Sequence, residues 1–359
     1  MILKELFYTS SGVAKAIILG DSGVEYCSNL DIINDNYWCS CDSYVYNSER
    51  IVVCKHLRYL YKMVDKKKMK DKTDELIKTP TGCKTVDNLL GGGFPHKLIS
   101  ALFGDPATGK SFLAYQSGVN NVKINNKKTL LLDTEGLTQN DLDTILGKLG
   151  KRYDVDEKKL KDKFQMIKTY NDPQMQSIQK LMQMFGYMVT FEMSKKGGKY
   201  KVIFRHCDET LTEKELKQTS MIIIDSLTKP IKDSIGSETP NLPARAQIVE
   251  RLFGKLHQVA DLYNIAVVVI HHQSNAPPVG PYKMPPRIYG GNPIYYNSKY
   301  ILEIFQSTKN ERDMVCAENK KNVWGKEARR VTMIRHPSIQ PPDGKFPIRL
   351  MKDMGFVDS

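Results

Sequence analysis

A chain of 359 residues with 41% hydrophobic content has room for one large α/β domain and a small accessory module, and too much apolar material for disorder. The formal net charge of +13 favours polyanionic partners, nucleic acid first among them; a lysine-rich surface that merely keeps the chain in solution is the blander reading. No N-terminal stretch has the flanks of a signal peptide and no apolar run approaches ~20 residues, so no membrane partner is expected and a soluble, intracellular chain is.

Residues 1–64 are rich in Tyr, Val, Ile and Cys, and the alternation from Val13 to Leu19 predicts a strand. Three of the seven cysteines fall close together, as Cys39-x-Cys41, twelve residues, then Cys54-x-His56. Three thiolates and an imidazole suit a closed tetrahedral Zn²⁺ site, and a module with so thin a core needs such a staple. Free buried cysteines, the alternative, leave the two matched spacings unexplained, and Cys27 reads as a core residue. Tyr44 to Val53 is expected to supply strands and Leu57 to Val64 a helix. Tyr37, Trp38, Tyr44 and Tyr46 could build the module's core or stack on bases. Residues 65–78, with Lys66-Lys67-Lys68, read as a charged linker or solvated helix.

From Thr79 onward short apolar runs alternate with amphipathic stretches, the mark of a mainly parallel α/β sheet. Lys97 to Phe103, Thr129 to Leu132, Met221 to Ile224 and Ala266 to Ile270 read as central strands covered on both faces. Ligands in such sheets sit beyond the carboxyl ends of the strands, so the polar residues after each run are the candidates for chemistry.

After the first run comes Gly104-Asp105-Pro106-Ala107-Thr108-Gly109-Lys110-Ser111, a complete G-x-x-x-x-G-K-[ST] loop, with a helix expected from near Phe112. Its backbone N–H groups would cradle the phosphates of ATP, Lys110 would reach the β- and γ-phosphates, and Ser111 would ligate Mg²⁺. Asp225, closing the third run, is the expected second Mg²⁺ ligand. Glu135, after the second, is the candidate base for the attacking water, while Asp133 is better suited to capping the next helix. His271-His272-Gln273 ends the fourth run, where a polar side chain could sense the γ-phosphate. Adjacent strand residues face opposite ways, which makes the two histidines a poor chelating pair. The segment Ser274 to Tyr289, rich in Pro and Gly and carrying Lys283 and Arg287, reads as a mobile basic loop.

The order of these pieces resembles the archaeal RadA and eukaryotic Rad51-type recombinases of the RecA superfamily. The resemblance rests on Thr81 to Gly93, the phosphate loop, Leu132 to Gly136, Ile224 to Thr228, Ala260 to Val269, and Gly290-Gly291 followed by Tyr300-Ile301. It covers roughly residues 79–359 and implies a RecA-like ATPase core with DNA-facing loops after Thr228 and Gln273. An ungapped match gives His272 the role of γ-phosphate sensor; a shift of one residue gives it to Gln273. Arg335 to Gly344 resembles the segment that caps ATP from a neighbouring subunit, with Arg335 or His336 where the family has an acid. Cys39, Cys41, Cys54 and His56 resemble the SWIM zinc finger, a type that binds DNA or proteins.

Departures accompany the resemblance. Thr138-Gln139-Asn140 stands where the family carries Phe-Arg-Pro against the adenine. The linker lacks a Phe-x-x-Ala polymerisation motif, the helix-hairpin-helix module is missing, and residues 192–218 read as an inserted charged hairpin. These features point to a recombinase paralogue: a DNA-dependent ATPase of recombination and repair, using ATP, Mg²⁺ and Zn²⁺, binding single-stranded or also double-stranded DNA, and forming homo-oligomers or hetero-oligomers with another recombinase. It would lie in the cytoplasm at the nucleoid, or in a eukaryote's nucleus. The alternatives are a non-catalytic ATP-binding mediator that loads another recombinase, and a KaiC-like signalling ATPase that would phosphorylate itself on Ser or Thr.

Overall fold

The computed structural model describes residues 1–8, 14–31, 36–41, 54–63, 76–169, 176–193, 200–235, 242–274, 287–288, 292–307, 328–337, 346–351 and 355–358. They divide into two compact units, Met1–Leu76 and Ile77–Ser359.

In the first unit β1 (Ile2–Tyr8), β2 (Ala14–Leu19), β3 (Glu25–Asp31) and β4 (Asn36–Cys39) form an antiparallel sheet in that order, followed by helix α1 (Lys55–Met63). Ala14, Ala16 and Ile18 alternate along β2 and pack with Leu30 and Leu60. The helix expected from Leu57 begins at Lys55, so His56 lies in its first turn. Val13, Tyr44 to Val53 and Lys66 to Lys68 lie outside the described residues.

The second unit opens with β5 (Lys78–Thr79), α2 (Lys84–Leu90), β6 (Phe94–Pro95), β7 (Ile99–Gly104), α3 (Lys110–Asn125) and β8 (Lys128–Asp133). Next come α4 (Gln139–Tyr153), α5 (Glu157–Lys163), β9 (Phe164–Lys168), α6 (Ser177–Met184), β10 (Tyr187–Met193), β11 (Tyr200–His206) and α7 (Glu213–Gln218). It continues through β12 (Thr219–Asp225), α8 (Thr228–Ile235), α9 (Leu242–Tyr263), β13 (Ala266–Ser274), β14 (Arg287–Ile288) and α10 (Asn292–Asn297). The last strands are β15 (Tyr300–Gln306), β16 (Ala328–Arg335), β17 (Phe346–Met351) and β18 (Gly355–Asp358).

Strands β15-β7-β13-β12-β8-β9 run parallel in that spatial order, and β16, β17 and β18 extend the sheet antiparallel beyond β15. Alternation along the central strands separates two cores. Ile99, Ala101, Ile222, Ile224, Val267 and Val269 face one side, with Ile248, Leu252 and Leu256 of α9. Leu102, Leu131, Met221, Ile223 and Val268 face the other, with Leu113 and Val119 of α3. Both faces are covered, which is why these strands read as unbroken apolar runs.

Helix α3 is buried almost all round, so its polar side chains need internal partners. Gln116 donates to Thr81 O and Phe356 O at 2.7 and 3.1 Å and accepts from Phe356 N at 2.7 Å. Asn121 donates to Thr129 Oγ1 and accepts from Ser220.

Two boundaries differ from the sequence reading. Ile77 and Lys78, assigned above to the linker, lie in the second unit: Ile77 O accepts from His96 N, and Lys78 pairs with Pro95. The inserted hairpin starts at Tyr187 rather than Glu192, with β10 and β11 paired from Tyr187–His206 to Met193–Tyr200, and residues 213–218 form a helix. Tyr187, Val189 and Val202 belong to the core. The charge of the hairpin masked this apolar alternation.

Candidate nucleotide site and metal centre

Parallel register brings the strand ends level: Asp225 pairs with Asp133, His272 with Gly104, and Glu303 with Phe103. The phosphate loop spans β7 and α3, and α3 starts at Lys110, two residues before the expected Phe112. Two of its glycines are sterically required. A Cβ on Gly104 (φ 144°) would collide with the backbone oxygen of Ile304, and one on Gly109 (φ 97°) would stand 2.8 Å from Leu350 and Phe356. Ala107 is also left-handed (φ 60°), and Thr108 Oγ1 donates to Asp105 O at 2.9 Å, which curls the loop. Asp105 and Pro106 are exposed, and Phe112 packs partly buried beside Gly355.

Lys110 is buried, its Nζ donating to the loop's own carbonyls, Gly104 O at 3.0 Å and Asp105 O at 2.6 Å. Burial lowers its pKa, against the pull of Asp225, Glu135 and Asp105. Those carbonyls are a holding site that anionic phosphates would outcompete.

Asp225 is 5% exposed, and burial pushes its pKa up to about 6, with Glu135 and Asp133 adding to the rise. Hydrogen bonds from Tyr115 and Ser111 oppose the shift, and Tyr115 Oη lies 2.6 Å from Asp225 Oδ2. Ser111 and Asp225 are thus adjacent, and a buried carboxylate this reluctant to ionise, beside a hydroxyl, fits a divalent cation well.

Glu135 is exposed at the site, with Oε1 2.5 Å from Ser226 Oγ and 2.7 Å from His272 Nε2. The His272 hydrogen bond is the chief cause of its lowered pKa, aided by Ser226 against desolvation. The alternation of β13 directs His272 to this cluster, while Gln273 donates to Glu303 Oε1 at 2.7 Å. His271 faces the other way, fully buried near Phe253, and burial holds its pKa down to about 3. Asp133 does not cap α4. Its Oδ1 accepts from Glu135 N and Gly136 N at 3.0 and 3.2 Å, which fixes the turn presenting Glu135, and Thr138 is the cap.

Three further residues belong to the site. Tyr115 lies one turn beyond Ser111, a spacing that puts both on one face of α3 and was readable in the sequence. Thr228 Oγ1 accepts from His272 N at 2.9 Å. Arg329 donates to Thr108 O and Ala107 O from β16, a link across more than 220 residues that leaves no local signal. Arg335 donates to Tyr295 O, and the His336 ring meets the edge of Tyr300 at 4.8 Å. Residues 275–286 of the expected basic loop, and Ser338 to Gly344 of the expected cap, lie outside the described residues.

In the first unit, the ligand atoms of Cys39, Cys41, Cys54 and His56 lie within 4.8 Å of one another, all buried. His56 Nδ1 is 3.8 Å from Cys39 Sγ, close to the ~3.6 Å edge of a tetrahedron built from ordinary zinc–sulfur and zinc–nitrogen bonds. Cys39 is on β4 and His56 in the first turn of α1, and the His56 ring stacks on Tyr26 at 4.1 Å. The hydrogen bond between Cys39 and Cys54 pulls the Cys54 thiol down and pushes the Cys39 thiol up. The donor set fits zinc.

A sequence model of the Rad51 family matches residues 72–195. The DNA repair and recombination protein RadA of Ignicoccus hospitalis is 25% identical over 257 residues, 68% of this chain and 68% of that one. RadB of Methanococcoides burtonii is 24% identical over 189 residues, 53% of this chain and 67% of its own. RadB of Thermococcus gammatolerans reaches 45% identity over 56 residues, 16% of this chain and 24% of its own. A crystal structure described as the RadB recombinase superposes with a TM-score of 0.53 at 20% identity, covering 78% of this chain and 99% of that chain, and shares the fold. The phosphate loop, the parallel sheet and these matches make the chain similar to the RadA and RadB recombinases, on a core of the same fold.

Proposed function

We propose that this chain is a DNA-binding, Mg²⁺-dependent ATPase of homologous recombination or repair. The observation that carries the reading is the convergence of Lys110, Ser111, Asp225, Glu135 and His272 at the ends of neighbouring parallel strands. Ser111 and Asp225 would hold Mg²⁺, which would neutralise charge on the phosphates. Lys110 would leave the Gly104 and Asp105 carbonyls for the β- and γ-phosphates. Glu135 would take a proton from the attacking water, and His272, already on Glu135 Oε1, would meet the γ-phosphate. Gln273, engaged with Glu303, is less well placed for that role. Nucleotide would bind at subunit interfaces and order the loops after Thr228 and Gln273 on single-stranded DNA. The cysteine–histidine centre would hold structural Zn²⁺.

The test is ATP hydrolysis by zinc-loaded protein with and without single-stranded DNA, at low and moderate salt. Stimulation that fades as salt rises is the expected result. Turnover indifferent to DNA counts against the proposal.

A non-catalytic mediator that uses ATP as structural glue is the second reading, favoured by the missing Phe-x-x-Ala segment and the added metal module. Glu135→Gln should leave ATP bound but unhydrolysed. A variant that keeps full recombination function supports the mediator.

A further inference from the structure

Tyr115 is an aromatic residue with a polar tip, set in the middle of an otherwise apolar and amide-rich helix. It is 4% exposed, with its ring edge-on to Phe164 at 6.3 Å. A phenylalanine would fill that space equally well, so packing does not account for the hydroxyl. The hydroxyl donates to Asp225 Oδ2 at 2.6 Å. The Ser111 hydroxyl is the carboxylate's second side-chain partner. Ser111 and Tyr115 are one helical turn apart, so α3 grips Asp225 at two points along a single face.

From this geometry we infer that Tyr115 is a positioning residue for divalent-metal binding: it occupies Asp225 Oδ2 and leaves the other carboxylate oxygen for the cation. The inference deepens the Mg²⁺–ATP reading of the site and rests on it. Three features of the surroundings support it. Asp225 is buried close to two other carboxylates, Asp133 on the neighbouring strand and Glu135 hydrogen-bonded to Ser226, so it needs a neutral donor that adds no charge of its own. The Tyr115 hydroxyl is such a donor, with Oη 2.6 Å from Oδ2. Moreover, a carboxylate held at one oxygen cannot rotate freely or chelate symmetrically, so Oδ1 is the atom it would offer a cation.

The experiment compares the full-length protein with Tyr115→Phe and with 4-aminophenylalanine at position 115, which keeps the ring and a weaker N–H donor. Binding of a fluorescent ATP analogue is titrated with Mg²⁺, and Mn²⁺ binding to the protein–nucleotide complex is followed by EPR. The metal concentration at half-saturation should rise about tenfold or more in Tyr115→Phe, the size expected for losing a hydrogen bond to a buried charge. The amino variant should fall between. If Tyr115→Phe does not fold, the amino variant alone must still show a rise of a few-fold. Equal half-saturation in every folded variant overturns the inference and leaves the hydroxyl a purely structural group. Nucleotide binding by the wild type that is indifferent to metal removes the Mg²⁺ reading itself, and the inference falls with it, a result visible before any variant is made.

Discussion

Asp225 stands out because the fold works against its charge. Its carboxyl is raised from 3.8 to about 6 at 5% exposure, so above that range the folded protein holds a charge that the unfolded chain carries freely. The unfolded state ionises first as pH rises and the folded state later. The penalty is therefore absent below about pH 3, grows through the window between the two values, and is constant above about pH 7. A rise from 3.8 to about 6 costs the folded state about 3 kcal/mol at pH 7.5 and about half that at pH 5. Asparagine in place of Asp225 fills the same volume, still accepts the Tyr115 hydrogen bond and carries no charge. Without nucleotide or metal, Asp225→Asn should be the more stable protein at pH 7.5, with the melting temperature of the second unit raised by roughly 5 °C or more. Its advantage should shrink at pH 5 and fall to about 0.5 kcal/mol at pH 4, while Mg²⁺-dependent nucleotide binding is lost. Calorimetry of both proteins across pH 4–8 is the assay. A gain independent of pH, or no gain at neutral pH, refutes the argument that burial of this charge is what the site costs.

Three further outcomes are expected. Replacing His272 by Ala removes the donor that holds the Glu135 carboxyl low, so the acid limb of the pH–rate profile should move up. Both side chains are about one-third exposed (32% and 39%), so solvent screens the coupling and the move is modest; an unmoved limb with turnover intact rules out the coupling. Gly104→Ala forces a Cβ onto the Ile304 backbone in a left-handed conformation and should cost more than about 3 kcal/mol, read as a large fall in melting temperature; a well-folded variant refutes the close approach. Chelation of zinc, or Cys41→Ser, should unfold the first unit while nucleotide binding by the second persists, measured by circular dichroism, metal analysis and nucleotide titration; an unchanged first unit removes the structural role of the metal.

Much of the fold was legible because it rests on local rules. Met221 to Ile224 and Ala266 to Ile270 read as buried parallel strands because helices cover both faces, and they form β12 and β13. The phosphate loop was visible because its glycines are dictated by space. Other features depend on contacts between distant segments. Arg329 meets the loop from β16, Thr228 holds β13 at His272, and neither follows from neighbouring residues. Whether His272 or Gln273 faces Glu135 turned on strand register, which spacing alone left open. Tyr115 is the exception, since its helical offset from Ser111 was in plain view and only the destination of its hydroxyl was hidden.

The double grip of Gln116 on Phe356 has a practical consequence. The amide of Phe356 is donated to a side chain of the phosphate-loop helix 240 residues earlier in the chain, and that side chain also holds Thr81. The amide can exchange its hydrogen with solvent only when strand and helix part. A single peptide signal from the edge of the sheet therefore reports whether the base of the nucleotide site is closed, and it does so without a label near the bound phosphates.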